Sequence, residues 1–426
     1  METRSGISPL QDASERELAE LQQFLVYLGS ALTAAGEAVN EIEDHLRRIA
    51  IAYGAPEARI TVLPTFVVLS LGPTRPATLE PTKQLRGVLR LDQTAALFEL
   101  LRRAERSEVA PAEGTAQISE IVTMAPRFGP VVTILGHVVL TVGICLVLRP
   151  TWSDLGLAAL FGALVGAMKL IGARWVSVQM IMPVSAAFIV ASITFLLADQ
   201  GWADADVRAM IAPLVTFLPG AALTMAVVEI SAANMVAGAS RLVTGSLQLA
   251  LLAFGIVGAE QLVGLPSVVD NPESLLGEWA PWLGVLVVGV GTFVYYSAPR
   301  RSFPWLLVVL YAAWIGQYLG SQAFGGYVGG FIGALVMTPV AYLVERVPSG
   351  PPALVSFLPA FWLLVPGALS LIGLTEFASD NAIEGIEDFL GAVGSILAIA
   401  LGVLCGYPLY QSLARSYERL GRFHPA

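Results

Sequence analysis

The chain has 426 residues, of which 55% are hydrophobic and 13% charged, with a mean hydropathy of +0.70. A soluble chain carries about a quarter charged residues, so this composition excludes an ordinary soluble protein and demands a membrane. Despite a formal net charge of −9, the acids concentrate in loops and near the amino terminus, and no basic patch interleaved with aromatics points to nucleic acid.

Residues 1–127 are rich in Arg, Glu and Asp, and the apolar spans begin after Phe128. An α+β domain over 1–127, cytosolic, is therefore expected ahead of a membrane domain. The first residues, METRSGISPLQDASERELAE, are polar and acidic, without the apolar core of a cleavable signal peptide. Leu18, Leu21, Leu25 and Leu28 recur at helical spacing, and Gly36 breaks the run. Val39, Ile42, Leu46 and Ile49 form a second stripe that ends near Gly54-Ala55-Pro56. Residues 60–63 and 66–71 read as strands, 92–106 as a helix, and 114–124 as a short helix.

Ten apolar spans follow, at roughly 128–148, 154–172, 176–198, 208–228, 236–259, 281–298, 303–320, 325–344, 353–375 and 388–411. Gly162/Gly166, Gly316/Gly320, Gly326/Gly330 and Gly329/Gly333 are small-xxx-small pairs that let helices approach. Cys145 and Cys405 lie in apolar spans and read as small packed core residues, without metal-ligand spacing. With a cytoplasmic amino terminus, the inside loops hold Lys169, Arg174, Arg300, Arg301 and Arg346, and the tail adds Arg415, Arg419 and Arg422. The outside loops hold only Arg149 and Arg208. This asymmetry places both termini inside. The expected order is a first membrane half over 128–265, an external linker over 266–280, a second half over 281–411 and a cytosolic tail over 412–426.

The two halves share an ungapped pattern at a spacing of 147 residues. Pro219-Gly220-Ala221, Glu229, Asn234, Gly238 and Gly255 fall on Pro366-Gly367-Ala368, Glu376, Asn381, Gly385 and Gly402. Pro lacks an N–H and Gly is conformationally loose, so Pro-Gly breaks a helix. Five spans per half make the two elements inverted across the membrane. A 5+5 inverted repeat with broken helices points to the binding site of a secondary transporter. No G-x-x-x-x-G-K-[ST] motif appears, and the only lysines are Lys83 and Lys169, which argues against coupling to ATP.

Gly36-Glu37, Val39, Glu43 and Arg47-Arg48-Ile49-Ala50 resemble the amino-terminal signature of threonine/serine exporters, the ThrE family. Thr61-Val62-Leu63-Pro64-Thr65 is similar to that family's strand ending in Pro-Thr. Pro219-Gly220-Ala221-Ala222-Leu223-Thr224 with Glu229 and Gly238 resembles its first membrane half, and Leu364-Val365-Pro366-Gly367-Ala368 its second. The resemblance covers nearly the whole chain in order. It implies an exporter of threonine and serine in a bacterial cytoplasmic (inner) membrane, driven by the proton motive force, with both halves fused in one chain. No cofactor is implied, and a homo-oligomer is compatible with it.

Several residues are candidates for the site. Glu229 and Glu376 are the first for proton coupling, because an ionisable residue near a bilayer interior is by default functional. Burial raises a carboxyl's pKa, which lets an acid exchange a proton near neutral pH. The alternative makes both solvated loop acids, and their identical offset favours function. Pro219-Gly220 and Pro366-Gly367 would free backbone groups for substrate, or simply kink their helices. Asn234 and Asn381 suit a zwitterion or a hydroxyl, or else cap the next helices. His137 could relay protons or be a packed histidine. Arg241 could bind a carboxylate or snorkel. Lys169 and Arg174 read as orientation residues, and Gln179, Gln248 and Gln317 as minor buried polar candidates.

Glu41 and His45 share a face of the second amino-terminal helix and leave open a membrane-anchored hydrolase. No G-x-S-x-G motif supports that rival. Glu37 and Glu43 fall in the signature and are expected to contact the membrane domain and gate it.

Overall fold

A computed structural model describes residues 15–72, 76–81, 88–200, 207–264, 275–364 and 382–421. The chain divides into two compact units, Met1–Pro126 with Glu229–Ser240, and Arg127–Val228 with Arg241–Ala426.

In the first unit, α1 (Glu15–Ala35) and α2 (Val39–Ala52) precede a three-stranded sheet, which α3 (Leu91–Glu105) and α4 (Pro111–Thr123) follow. The leucine stripe of α1 is buried, as are Val39, Ile42, Leu46 and Ile49 of α2. Helix α1 ends because Gly36 takes φ +91°, a left-handed conformation that favours glycine. Gly36 N–H bonds to Thr33 O at 3.1 Å and Glu37 N–H to Leu32 O at 3.2 Å, which closes a Schellman cap.

Strands β1 (Arg59–Leu63), β2 (Phe66–Ser70) and β3 (Thr78–Pro81) are antiparallel in that order. Leu63 pairs with Phe66, so Pro64-Thr65 is a two-residue hairpin turn. Ile60, Val62, Val67 and Leu69 alternate inward. Strand β3 is an addition to the two expected strands, because Thr-Leu-Glu-Pro has neither alternation nor β-branched enrichment. It pairs at the sheet edge, where a terminal proline is tolerated.

The second unit is helical. Helices of the remaining chain are α5 (Pro130–Val147), α6 (Trp152–Gly172), α7 (Val176–Asp199), α8 (Val207–Leu214), α9 (Gly220–Ser231), α10 (Met235–Val263), α11 (Trp279–Tyr295), α12 (Phe303–Phe324), α13 (Gly326–Glu345), α14 (Ala353–Leu363) and α15 (Ala382–Gly421). The end of α9 and the start of α10 belong to the first unit. Helix α6 starts at a capping box: Asp154 N–H donates to Thr151 Oγ1 at 3.2 Å, and Thr151 N–H to Asp154 Oδ2 at 2.8 Å.

Among the described residues, seven helices are long and apolar enough to cross a membrane, or eight with one bent pair. Trp279–Tyr295 and Ala353–Leu363 are apolar but shorter. The chain is thus a multi-span helical membrane protein. Met180, Val243, Phe254 and Leu262 are exposed along these helices, as lipid-facing side chains are. Cys145 is buried, but Cys405, expected in the core, is exposed.

One packing relation recurs along the chain. Gly255 of α10 lies against Val184 O, Ala187 Cβ and Phe188 N of α7. Gly402 of α15 lies against Phe331 O, Ala334 Cβ and Leu335 N of α13, each position displaced by 147 residues. A side chain at either glycine would strike backbone, so only glycine allows this approach. Gly136 meets Tyr295, Leu140 meets Gly291, Gly143 meets Val288 and Val147 meets Gly284, so α5 and α11 run antiparallel in close contact.

Candidate functional site

Helices α8 and α9 form a bent pair. Helix α8 passes into a tight 3-10 turn over Val215–Phe217, and α9 restarts at Gly220 with a bend of 52°. Pro219 cannot donate to the preceding turn, which is why the helix stops there. Leu223 N–H bonds to Pro219 O at 2.9 Å and is the first bond of α9. The N–H groups of Gly220, Ala221 and Ala222 precede it at the positive end of the helix.

The break is held from α10. Gln248 Nε2 donates to Phe217 O at 2.6 Å. Gly245 faces Leu223 and Pro219, and a methyl group there would lie 2.7 Å from Leu223 Cδ2. In the second half, Gln317 Nε2 of α12 reaches Leu364 O at 3.5 Å, and Leu364 stands 147 residues after Phe217. Pro366, Gly367, Glu376 and Asn381 lie outside the described residues.

A polar cluster adjoins the first break. His137 of α5 is fully buried, and its Nδ1 lies 2.8 Å from Gly162 O. A carbonyl can only accept, so Nδ1 carries the proton, and in the neutral ring Nε2 accepts from Thr216 Oγ1 at 3.3 Å. Gly162 and Gly166 let α6 press on Val138, Thr141 and His137. Lys169, one turn further on, is half-buried, with Nζ 4.5 Å from the centre of the Phe217 ring and 5.6 Å from that of Tyr295. The Tyr295 ring meets His137 edge-on at 5.0 Å. The structure thus brings His137 to the Pro219-Gly220 break and adds Lys169, Thr216, Phe217 and Tyr295. Of these additions the sequence marks only Lys169, because Thr, Phe and Tyr in an apolar run carry no periodic signal.

Glu229 and Asn234 belong to the other unit. Glu229 is fully buried within α9 rather than solvated in a loop, and its Oε1 accepts from Val39 N–H at 3.3 Å. Asn234 N–H bonds to Glu229 O at 2.8 Å and Ala233 N–H to Ile230 O at 3.0 Å. Ala233 takes φ +65° to close this cap, a strained choice for a residue with a side chain. Asn234 then stands at the N-cap position of α10, where its carbonyl accepts from Gly238 N–H at 3.0 Å. Arg241 follows on α10 and is half-buried.

Glu37 Oε1 accepts from Ala38 N–H at 3.2 Å, and Glu43 Oε1 from Val62 N–H at 2.8 Å. Both signature acids therefore bind backbone inside their own unit, and Glu43 ties α2 to β1. His45 Nδ1 and Arg48 Nε meet Glu105 Oε1 at 2.9 and 2.8 Å. Burial pushes the Glu105 carboxyl up, but the bonds from His45 and Arg48 outweigh it and hold the group below its ordinary value. Burial raises Glu41, which His45 opposes. Among the described residues no trio of His, Cys, Asp or Glu is placed to hold a metal ion.

A family model described as "Putative threonine/serine exporter" (ThrE) matches residues 23–263, more than half of the chain. The chain belongs to the ThrE family. No curated protein and no solved structure matches it. The ThrE match runs from α1 to the end of α10, and so takes in the hairpin turn, the broken span, Glu229 and the His137–Lys169 cluster. ThrE proteins are a transporter family, which agrees with the multi-span architecture.

Proposed function

We propose that this ThrE protein is a secondary active exporter of small amino acids, threonine and serine, driven by the proton motive force across a bacterial cytoplasmic membrane. The observation that carries the reading is the 52° break at Pro219-Gly220 in a chain of this family. Broken helices near the midplane are where transporters bind substrate. The amino end of α9 favours the substrate carboxylate, and the freed carbonyls suit its ammonium group. His137 and Glu229 are the titratable groups assigned to proton coupling. Pro366-Gly367, Asn381 and Glu376 are assigned the matching roles in the second half, with Asn234 beside the first. Glu37, Glu43 and Arg241 are assigned to gating.

Ten spans in a 5+5 inverted repeat complete the reading. The repeat is supported by the glycine contacts displaced by 147 residues and by the antiparallel crossing of α5 with α11. Repeat-related helices that run antiparallel are what an inverted repeat requires.

The deciding experiment is uptake of labelled threonine into inside-out vesicles that carry the full chain. Accumulation is expected with a pH gradient and is expected to vanish when the gradient is collapsed. Gradient-independent equilibration would sink the coupled reading and leave a channel. Topology provides a separate check. A reporter fused after Ala426 is expected inside and one inserted at Ser267 outside. The same side for both would end the ten-span arrangement.

A further inference from the structure

The Lys169 cluster carries an inference that rests on the exporter reading and goes beyond it. None of the ion pairs among the described residues includes Lys169. Its ammonium faces the rings of Phe217 and Tyr295 instead. Aromatic faces attract a cation but offset only part of the cost of drawing it out of water. An orientation residue at a helix end would extend to the interface, where that cost does not arise. Lys169 turns to the broken span.

The second half serves as an internal control. At 147 residues beyond His137, Lys169, Thr216 and Phe217 stand Gly284, Gly316, Leu363 and Leu364. The same helical positions are thus filled by small or apolar residues where no polar group is needed. Gly284 and Gly316 each serve close packing, against Val147 and Gly333. Folding therefore does not call for a cation, a histidine and a hydroxyl at these positions. One turn beyond His137, Thr141 also buries a hydroxyl that has no hydrogen-bond partner among the described residues.

We infer that Lys169 is the anchor for the carboxylate of a zwitterionic amino acid, beside the Thr216 hydroxyl that donates to His137. The Phe217 and Tyr295 rings hold the ammonium in place and keep water from it. Bound carboxylate supplies the counter-charge that the aromatic faces do not. The site sits in the first half alone, so substrate is held asymmetrically within the repeat.

The full-length Lys83→Arg variant leaves Lys169 as the sole lysine, and its reaction with a membrane-permeant amine reagent can be followed by peptide mass mapping. Threonine at about ten times its half-saturating concentration is expected to slow the modification about tenfold. Threonine carboxamide keeps the ammonium and hydroxyl but lacks the negative charge, and is expected to leave the rate unchanged. Protection by both, or by neither, overturns the assignment. Vesicle uptake of threonine without protection sinks the Lys169 anchor and leaves the exporter reading standing. Protection by threonine without uptake sinks the exporter reading and leaves the carboxylate site.

Discussion

Replacing Pro219-Gly220 with Ala-Ala is expected to abolish threonine binding in a protein that still folds. Alanine in place of proline in a helix gains about 3 kcal/mol, and in place of glycine about 1 kcal/mol. Straightening the span would sever the Gln248–Phe217 bond, which contributes about 1 kcal/mol. The balance favours a continuous helix across the present 52° bend. The variant should therefore reach the membrane at the normal level. It would also bury the N–H groups of Gly220, Ala221 and Ala222 in helical bonds and carry Phe217 away from Lys169. Equilibrium binding of labelled threonine should weaken by at least about tenfold, or about 1.4 kcal/mol. Pro366-Gly367→Ala-Ala is expected to do the same in the second half. Unchanged affinity in both variants would show that Pro-Gly only kinks its helices, and the site would then lie with His137, Lys169 and Arg241.

Glu229→Gln and Glu229→Ala are expected to separate coupling from stability. Glutamine at this position would keep the shape and the oxygen that accepts from Val39 N–H, and would remove only the titratable charge. If Glu229 carries the proton, this variant binds threonine normally but loses gradient-driven accumulation in vesicles. The alanine variant also leaves the buried Val39 N–H without its acceptor, a cost of about 1–3 kcal/mol that thermal unfolding would register. Gradient-driven uptake at the wild-type rate in the glutamine variant would restrict Glu229 to the structural role. Equal thermal stability of the alanine variant would show that its bond to Val39 contributes little.

The class and the punctuation of this protein are written locally in its chain. Composition required a bilayer, because so few charged residues cannot cover a soluble surface. Gly36 ended α1 and Pro219-Gly220 broke the fourth span, because a missing N–H or a left-handed φ acts within a few residues of chain. The ThrE signature was legible for the same reason, since its hairpin turn at Pro64-Thr65 and its helix break are local devices. What meets across distance depends on how the helices pack in three dimensions. Glu229 reaches Val39 over 190 positions, and His137 reaches Thr216 over 79. No periodicity encodes such pairs, because they depend on how helices cross. Lys169 shows the difference most clearly. Its place in the last turn of α6 was visible as a charge at a helix end. Its facing of Phe217 and Tyr295 followed only once Gly162 and Gly166 had let α6 close on α5, and the break had turned Phe217 inward.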